Sequence, residues 1–152
     1  MTVRADIDEF LGRKRLLVVG VSRNAMDFTR IVFREFQQRG YDAIPVNPNT
    51  GEIAGVRSIA RVADADPPVD AALLMTRPEV TESVARECVE AGVRFLWMYR
   101  SSGAACRETA AYCRSKGLRV IEGECPLMFL DNPGVPHRVH AFFRRLVGSY
   151  PR

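Results

Sequence analysis

At 152 residues, with 47% hydrophobic and 26% charged residues, the chain has the composition and size of one globular domain, which excludes a mainly disordered polypeptide. Its longest apolar runs, Leu16 to Val21 and Ala71 to Met75, fall far short of the roughly 18 residues that cross a bilayer. The acidic start lacks the pattern of a secretory signal, so a cytoplasmic protein with no membrane partner is expected. The net charge of +4 comes from arginines scattered along the chain, with only Arg138, Arg144 and Arg145 clustered, and no nucleic-acid partner is expected.

The first predicted strand, Leu16 to Gly20, runs into Gly20-Val21-Ser22-Arg23-Asn24. A permissive backbone, a hydroxyl and a guanidinium close to a helix start are what diphosphate oxygens require. A full G-x-G-x-x-G is absent, and a plain strand-to-helix turn explains the same residues. Helical spacing over Met26 to Arg39 sets Phe28, Ile31, Val32 and Phe36 on one face; Arg30, on the same helix, either reaches an anion or faces solvent.

The second strand, Ala43 to Val46, ends in Asn47-Pro48-Asn49. An ordinary NAD site places a carboxylate there to hold the ribose hydroxyls. Amide side chains on a fixed backbone suit an adenine or ribose and tolerate a nearby phosphate, although Asn-Pro-Asn is also a strong turn former. Ser58 to Ala65 is expected to form a short helix covering the sheet, with Pro67-Pro68 closing it. Asp70 to Met75 is apolar without alternation, as in a central parallel strand covered on both faces.

Thr76-Arg77-Pro78 then adds a hydroxyl and a cation, with Pro78 suited to the first turn of a helix over Glu79 to Ala91; a simple helix cap explains it equally. That helix aligns Val80, Val84, Cys88 and Val89. A fourth strand, Arg94 to Met98, leads into Tyr99 to Gly103, where Ser101-Ser102-Gly103 offers a second potential anion nest. Gly40, Gly92 and Gly117 stand where helices stop. Cys106 and Cys113 fall on one helix about 10 Å apart, too far for a disulfide.

After a fifth strand, Leu118 to Ile121, Cys125 sits in the loop Glu122 to Pro126. It is either a reactive, mixed-disulfide thiol or a packed structural one, and the packed reading is preferred because no histidine neighbours it. Leu130 to Gly134 reads as a turn. Val139, Phe142, Phe143, Leu146 and Val147 then repeat at helical spacing, as for a tail helix docked on the sheet. His137 and His140 fall short of the three or four ligands of a zinc site, so no metal is expected.

This βαβ alternation predicts an α/β fold, a Rossmann-like three-layer sandwich with a five-stranded parallel sheet and an added C-terminal helix. It forms a single domain over residues 1–152, with a core of about 12–130 and a tail of 131–152. Right-handed crossovers bring the five strand-end loops onto one rim.

The ordered set V-V-G-V-S-R-N, P-V-N-P-N with G-E-I-A-G, L-L-M-T-R-P-E, F-L-W-M-Y and V-I-E-G-E-C-P resembles the small bacterial CoA-binding proteins, relatives of the CoA-binding domain of the succinyl-CoA synthetase alpha subunit. The resemblance implies coenzyme A, or an acyl-CoA, along the rim. Gly20, Ser22 and Arg23 would meet the diphosphate, Asn47 and Pro48 the adenosine end, and Arg77 and Pro78 the neighbouring wall, with Val21, Asn24, Arg30, Asn49, Thr76 and Cys125 as further candidate binding residues. Where relatives carry Gln and a Gly-Ile turn, this chain has Met98-Tyr99-Arg100-Ser101.

No nucleophile-base-orienter set is visible. The leading expectation is therefore non-catalytic binding of CoA or an acyl-CoA. The alternatives are an NADP-binding oxidoreductase-like protein, one part of a split acyl-CoA ligase, or an interaction protein sensing the CoA thiol through Cys125. A homodimer or a partner enzyme subunit is compatible with each.

Overall fold

In the computed structural model, which describes residues 4–99 and 103–130, the chain runs α1 (Arg4–Gly12), β1 (Arg15–Val19), α2 (Phe28–Gln38), β2 (Asp42–Val46), β3 (Glu52–Ile53), β4 (Val56–Arg57), β5 (Ala71–Leu74), α3 (Pro78–Glu90), β6 (Phe95–Met98), α4 (Ala104–Ser115) and β7 (Arg119–Glu122). Five strands form one parallel sheet in the order β2-β1-β5-β6-β7. Within β1 the side chains alternate: Leu16 and Val18 pack with Phe10, Val32, Phe33 and Phe36 of α1 and α2. Leu17 and Val19 pack with Val84, Cys88, Cys106 and Cys113 of α3 and α4. Both sheet faces are thus covered, which is why the central strands read as unbroken apolar runs. Burying each such side chain contributes roughly 1.5–3 kcal/mol. The layers are those of a Rossmann-like α/β sandwich.

Three parts of the chain differ from what the sequence suggests. Helix α1 was not foreseen: Ile7 and Phe10 are fully buried, Phe10 meets Trp97 edge-on at 5.2 Å, and Glu9 pairs with Arg119. Helix α2 begins only at Phe28, where Asp27 accepts the Thr29 N–H. Its buried stripe takes Phe33 in place of Ile31, which is 42% exposed.

The segment expected as a short helix over Ser58 to Ala65 is instead tied to the sheet edge. Strands β3 and β4 form a hairpin around Ala54 and Gly55, Ile59 bridges Val46, and only Val62–Asp64 makes a single 3-10 turn. The reason is competition for the backbone. The Ser58 hydroxyl and the Ile59 N–H both donate to the Pro45 carbonyl, and the Arg61 N–H donates to the Asp64 carboxylate, so the groups a longer helix would pair are already engaged.

The expected tail helix, His137, His140 and the Ser101-Ser102 nest lie outside the described residues. Among the described residues, no helix is long and apolar enough to cross a membrane, and no cluster of three or more His, Cys, Asp or Glu could hold a metal ion.

Candidate functional site

From β1 the chain winds through α2 to β2 on one side, then crosses back to β5 on the other side of β1. The winding therefore reverses between β1 and β5, and the carboxyl ends of those strands part to leave a crevice. A cleft of about 700 Å³ opens there, lined by the ends of β1, β2 and β5, by Ala60, Arg61 and Val62, and by one face of α3. Sites for small organic ligands run to about 300–1,000 Å³.

Gly20 closes the inner wall with φ +91°, and a Cβ there would stand 2.9 Å from the Met75 carbonyl oxygen and 3.1 Å from the Thr76 nitrogen. The glycine that reads as a phosphate-turn residue is therefore needed first for the close approach of the two strand ends. Beyond it, the loop is held by its own polar groups. The Ser22 N–H donates to Thr29 Oγ1 at 2.9 Å, the Asn24 N–H to Ser22 Oγ at 3.1 Å, and the Met26 N–H to Asn24 Oδ1 at 3.0 Å.

Arg30 is held within its own loop. One guanidinium nitrogen, Nη1, donates back to the carbonyls of Ser22, at 3.4 Å, and Arg23, at 3.2 Å, so it braces the loop. The Asp27 carboxylate caps α2. The loop ahead of that helix end is what borders the cleft.

The Asn47 amide is also committed. Its Nδ2 donates to the Val21 carbonyl at 3.1 Å and its Oδ1 accepts the Asn49 N–H at 2.8 Å, fastening the first strand-end loop to the second. On the opposite wall Thr76 and Thr81 share a hydroxyl bond of 2.8 Å, and Pro78 starts α3 with Arg77 at its cap. The Arg23 and Arg77 guanidiniums have no ion-pair partner among the described residues, while Arg61 pairs with Asp64 at 3.4 Å in an exposed contact of the kind worth under about 1 kcal/mol.

The cleft gathers nine of the thirteen candidates: Gly20, Val21, Ser22, Arg23, Asn47, Pro48, Asn49, Thr76 and Arg77. Asn24, Arg30 and Pro78 are not among the residues that border it. Cys125 lies apart, half-buried against the same core cluster as Phe28 and Tyr99. Burial pushes its thiol above the ordinary range, opposed only in part by the N–H groups of Leu127 and Met128 and by a hydrogen bond with Tyr99. Sequence reading missed Ala60, Arg61, Val62, Val80, Ser83, Val84 and Glu87. Four of these fall on α3; Val80 and Val84 belong to its predicted apolar face, yet Val80 is 42% exposed because that part of the helix borders the opening.

A family model described as a CoA binding domain matches residues 14–131. The uncharacterized protein YneT of Bacillus subtilis (strain 168) is 32% identical over 123 residues, covering 80% of this chain and 90% of that protein. Among solved structures, a hypothetical protein from Pyrococcus horikoshii OT3 superposes with a TM-score of 0.75 at 25% identity, covering 82% of this chain and 87% of that one. The dinucleotide forming acetyl-coenzyme A synthetase 1 of Ca. Korarchaeum cryptofilum shares the fold, with a TM-score of 0.66 at 24% identity, over 72% of this chain and 26% of that much longer one.

Proposed function

Because the chain belongs to the CoA-binding domain family, we propose that its cleft holds coenzyme A or an acyl-CoA and that its role is binding rather than catalysis. The diphosphate lies against the loop Gly20 to Arg23 and the Arg77 guanidinium, and the adenosine end against Asn47-Pro48-Asn49. Arg30 and Asn24 act by holding the first loop in shape. The observation that carries this reading is the charge of the cleft: among the described residues it is bordered by Arg23, Arg61 and Arg77 with Glu87 as the one carboxylate, and no acid stands at the end of β2 to repel a phosphorylated ribose.

Titration calorimetry with CoA, dephospho-CoA, acetyl-CoA and NADPH tests it. CoA is expected to bind, and dephospho-CoA roughly tenfold or more weaker, since a hydrogen bond to a charged group contributes about 1.5–3 kcal/mol. Equal affinity for the two would refute the ribose-phosphate contact. Absence of heat and of thermal shift at millimolar CoA would refute the whole reading. Tighter binding of NADPH would favour an oxidoreductase-like protein instead. A second reading, one part of a split acyl-CoA ligase, draws on the recurrence of this fold within a far longer acetyl-coenzyme A synthetase; co-purification of a ligase subunit with the tagged chain would favour it.

A further inference from the structure

The α3 residues Val80, Val84 and Glu87 border the cleft together with Ala60 and Val62. Val62 and Val84 are buried in one core cluster, so this end of the cleft is a slot with an apolar floor, suited to a flat ring. Glu87 borders that slot. It is half-buried, and no hydrogen bond or ion pair to its carboxylate is found among the described residues, in a chain with an excess of arginine. An ionised carboxylate only accepts hydrogen bonds, so the slot calls for a planar ligand that brings a donor to its end.

Position along the helix says which part of a nucleotide that is. Arg77 caps α3 at the diphosphate end, and Glu87 follows about 15 Å along the axis at 1.5 Å per residue. On a nucleotide, the group farthest from the diphosphate is the outer edge of the base. We infer that Glu87 reads the base: its carboxylate accepts a hydrogen bond from the exocyclic amine of adenine, and this sets adenine above 6-oxopurines. The inference deepens the CoA reading and rests on it.

The test uses the full chain with CoA and with the 3′,5′-bisphosphates of adenosine, inosine and guanosine. The wild-type protein is expected to prefer the adenosine compound over the inosine compound by roughly tenfold or more, the usual effect of one hydrogen bond to a charged group. Glu87→Gln, whose amide can turn an N–H toward a 6-oxo group, should bring that ratio close to one. Glu87→Asp, which keeps the charge but withdraws it by one methylene, should fall between, and the exposed Glu90→Gln should leave the ratio unchanged; thermal melting checks that each variant is folded. A wild-type ratio near one, an unchanged ratio in folded Glu87→Gln, or tighter binding of the guanosine compound would each overturn the role of Glu87 while CoA binding stands. Failure of the wild-type protein to bind CoA would instead remove the reading beneath it.

Discussion

Replacing Gly20 by alanine tests the seam on which the cleft depends. Two costs add. The backbone at φ +91° disfavours any residue with a Cβ by about 1–2 kcal/mol, and the new methyl would meet the Met75 carbonyl oxygen at 2.9 Å. That clash is relieved only by parting β1 from β5, which are joined here by the Met75 N–H to Val19 carbonyl bond of 2.8 Å; overpacking of this kind costs about 1–3 kcal/mol. Allowing for the stiffer unfolded chain of alanine, the loss is about 2–4 kcal/mol, or a fall in melting temperature of about 5–15 °C for a domain of this size. Urea unfolding followed by the emission of Trp97, the sole tryptophan and fully buried, measures it. Gly40→Ala is the control: φ is +78° but nothing lies within 4 Å of the added carbon, so it carries the backbone strain without the collision. If Gly20→Ala costs no more than Gly40→Ala, the close approach of the strand ends is not what requires a glycine.

Arg23→Ala and Arg77→Ala should each lower CoA affinity by roughly tenfold in low salt, with a smaller difference at high salt, where exposed charges are screened; calorimetry at two ionic strengths checks both. Asp27→Ala removes the cap of α2 and should cost about 1 kcal/mol in urea unfolding. Cys125, with its thiol pushed up by burial, should react with maleimide more slowly than a free cysteine at neutral pH. Burial also pushes Cys88 up to about 12, so the folded state keeps a proton that the unfolded chain releases near 9. Its contribution is therefore intact below about pH 9 and declines above it by ~1.4 kcal/mol per pH unit. A denaturation series from pH 7 to 11 should show that decline, and Cys88→Ala should flatten its slope.

The parallel sheet was legible because its strands are short and apolar, and β1, β5 and β6 lead into helices that stop shortly before Gly40, Gly92 and Gly117; those signals are local. What escaped depends on pairing between distant segments. Helix α1 was missed because its charged residues dominate the sequence, although Ile7, Phe10 and Leu11 carry the spacing of a buried stripe. The tie of Ser58 and Ile59 to the sheet edge depends on the Pro45 carbonyl, which no local pattern reveals. Within the cleft, the strand-end loops could be foreseen from the handedness of the crossovers. The α3 wall could not, because Val80 and Val84 have the same spacing whether they face a core or an opening. Arg30 shows the other limit: its position in the sequence does not reveal that its Nη1 donates to two carbonyls of its own loop.

The described residues bordering the cleft fall between Val19 and Glu87, while α4, β7 and the turn after it build the opposite edge of the sheet. On the proposed reading, one edge diverges under selection for its ligand and the other separately. Among homologues, substitutions in α4 and β7 should thus accumulate without altering nucleotide preference, which calorimetry on such homologues checks.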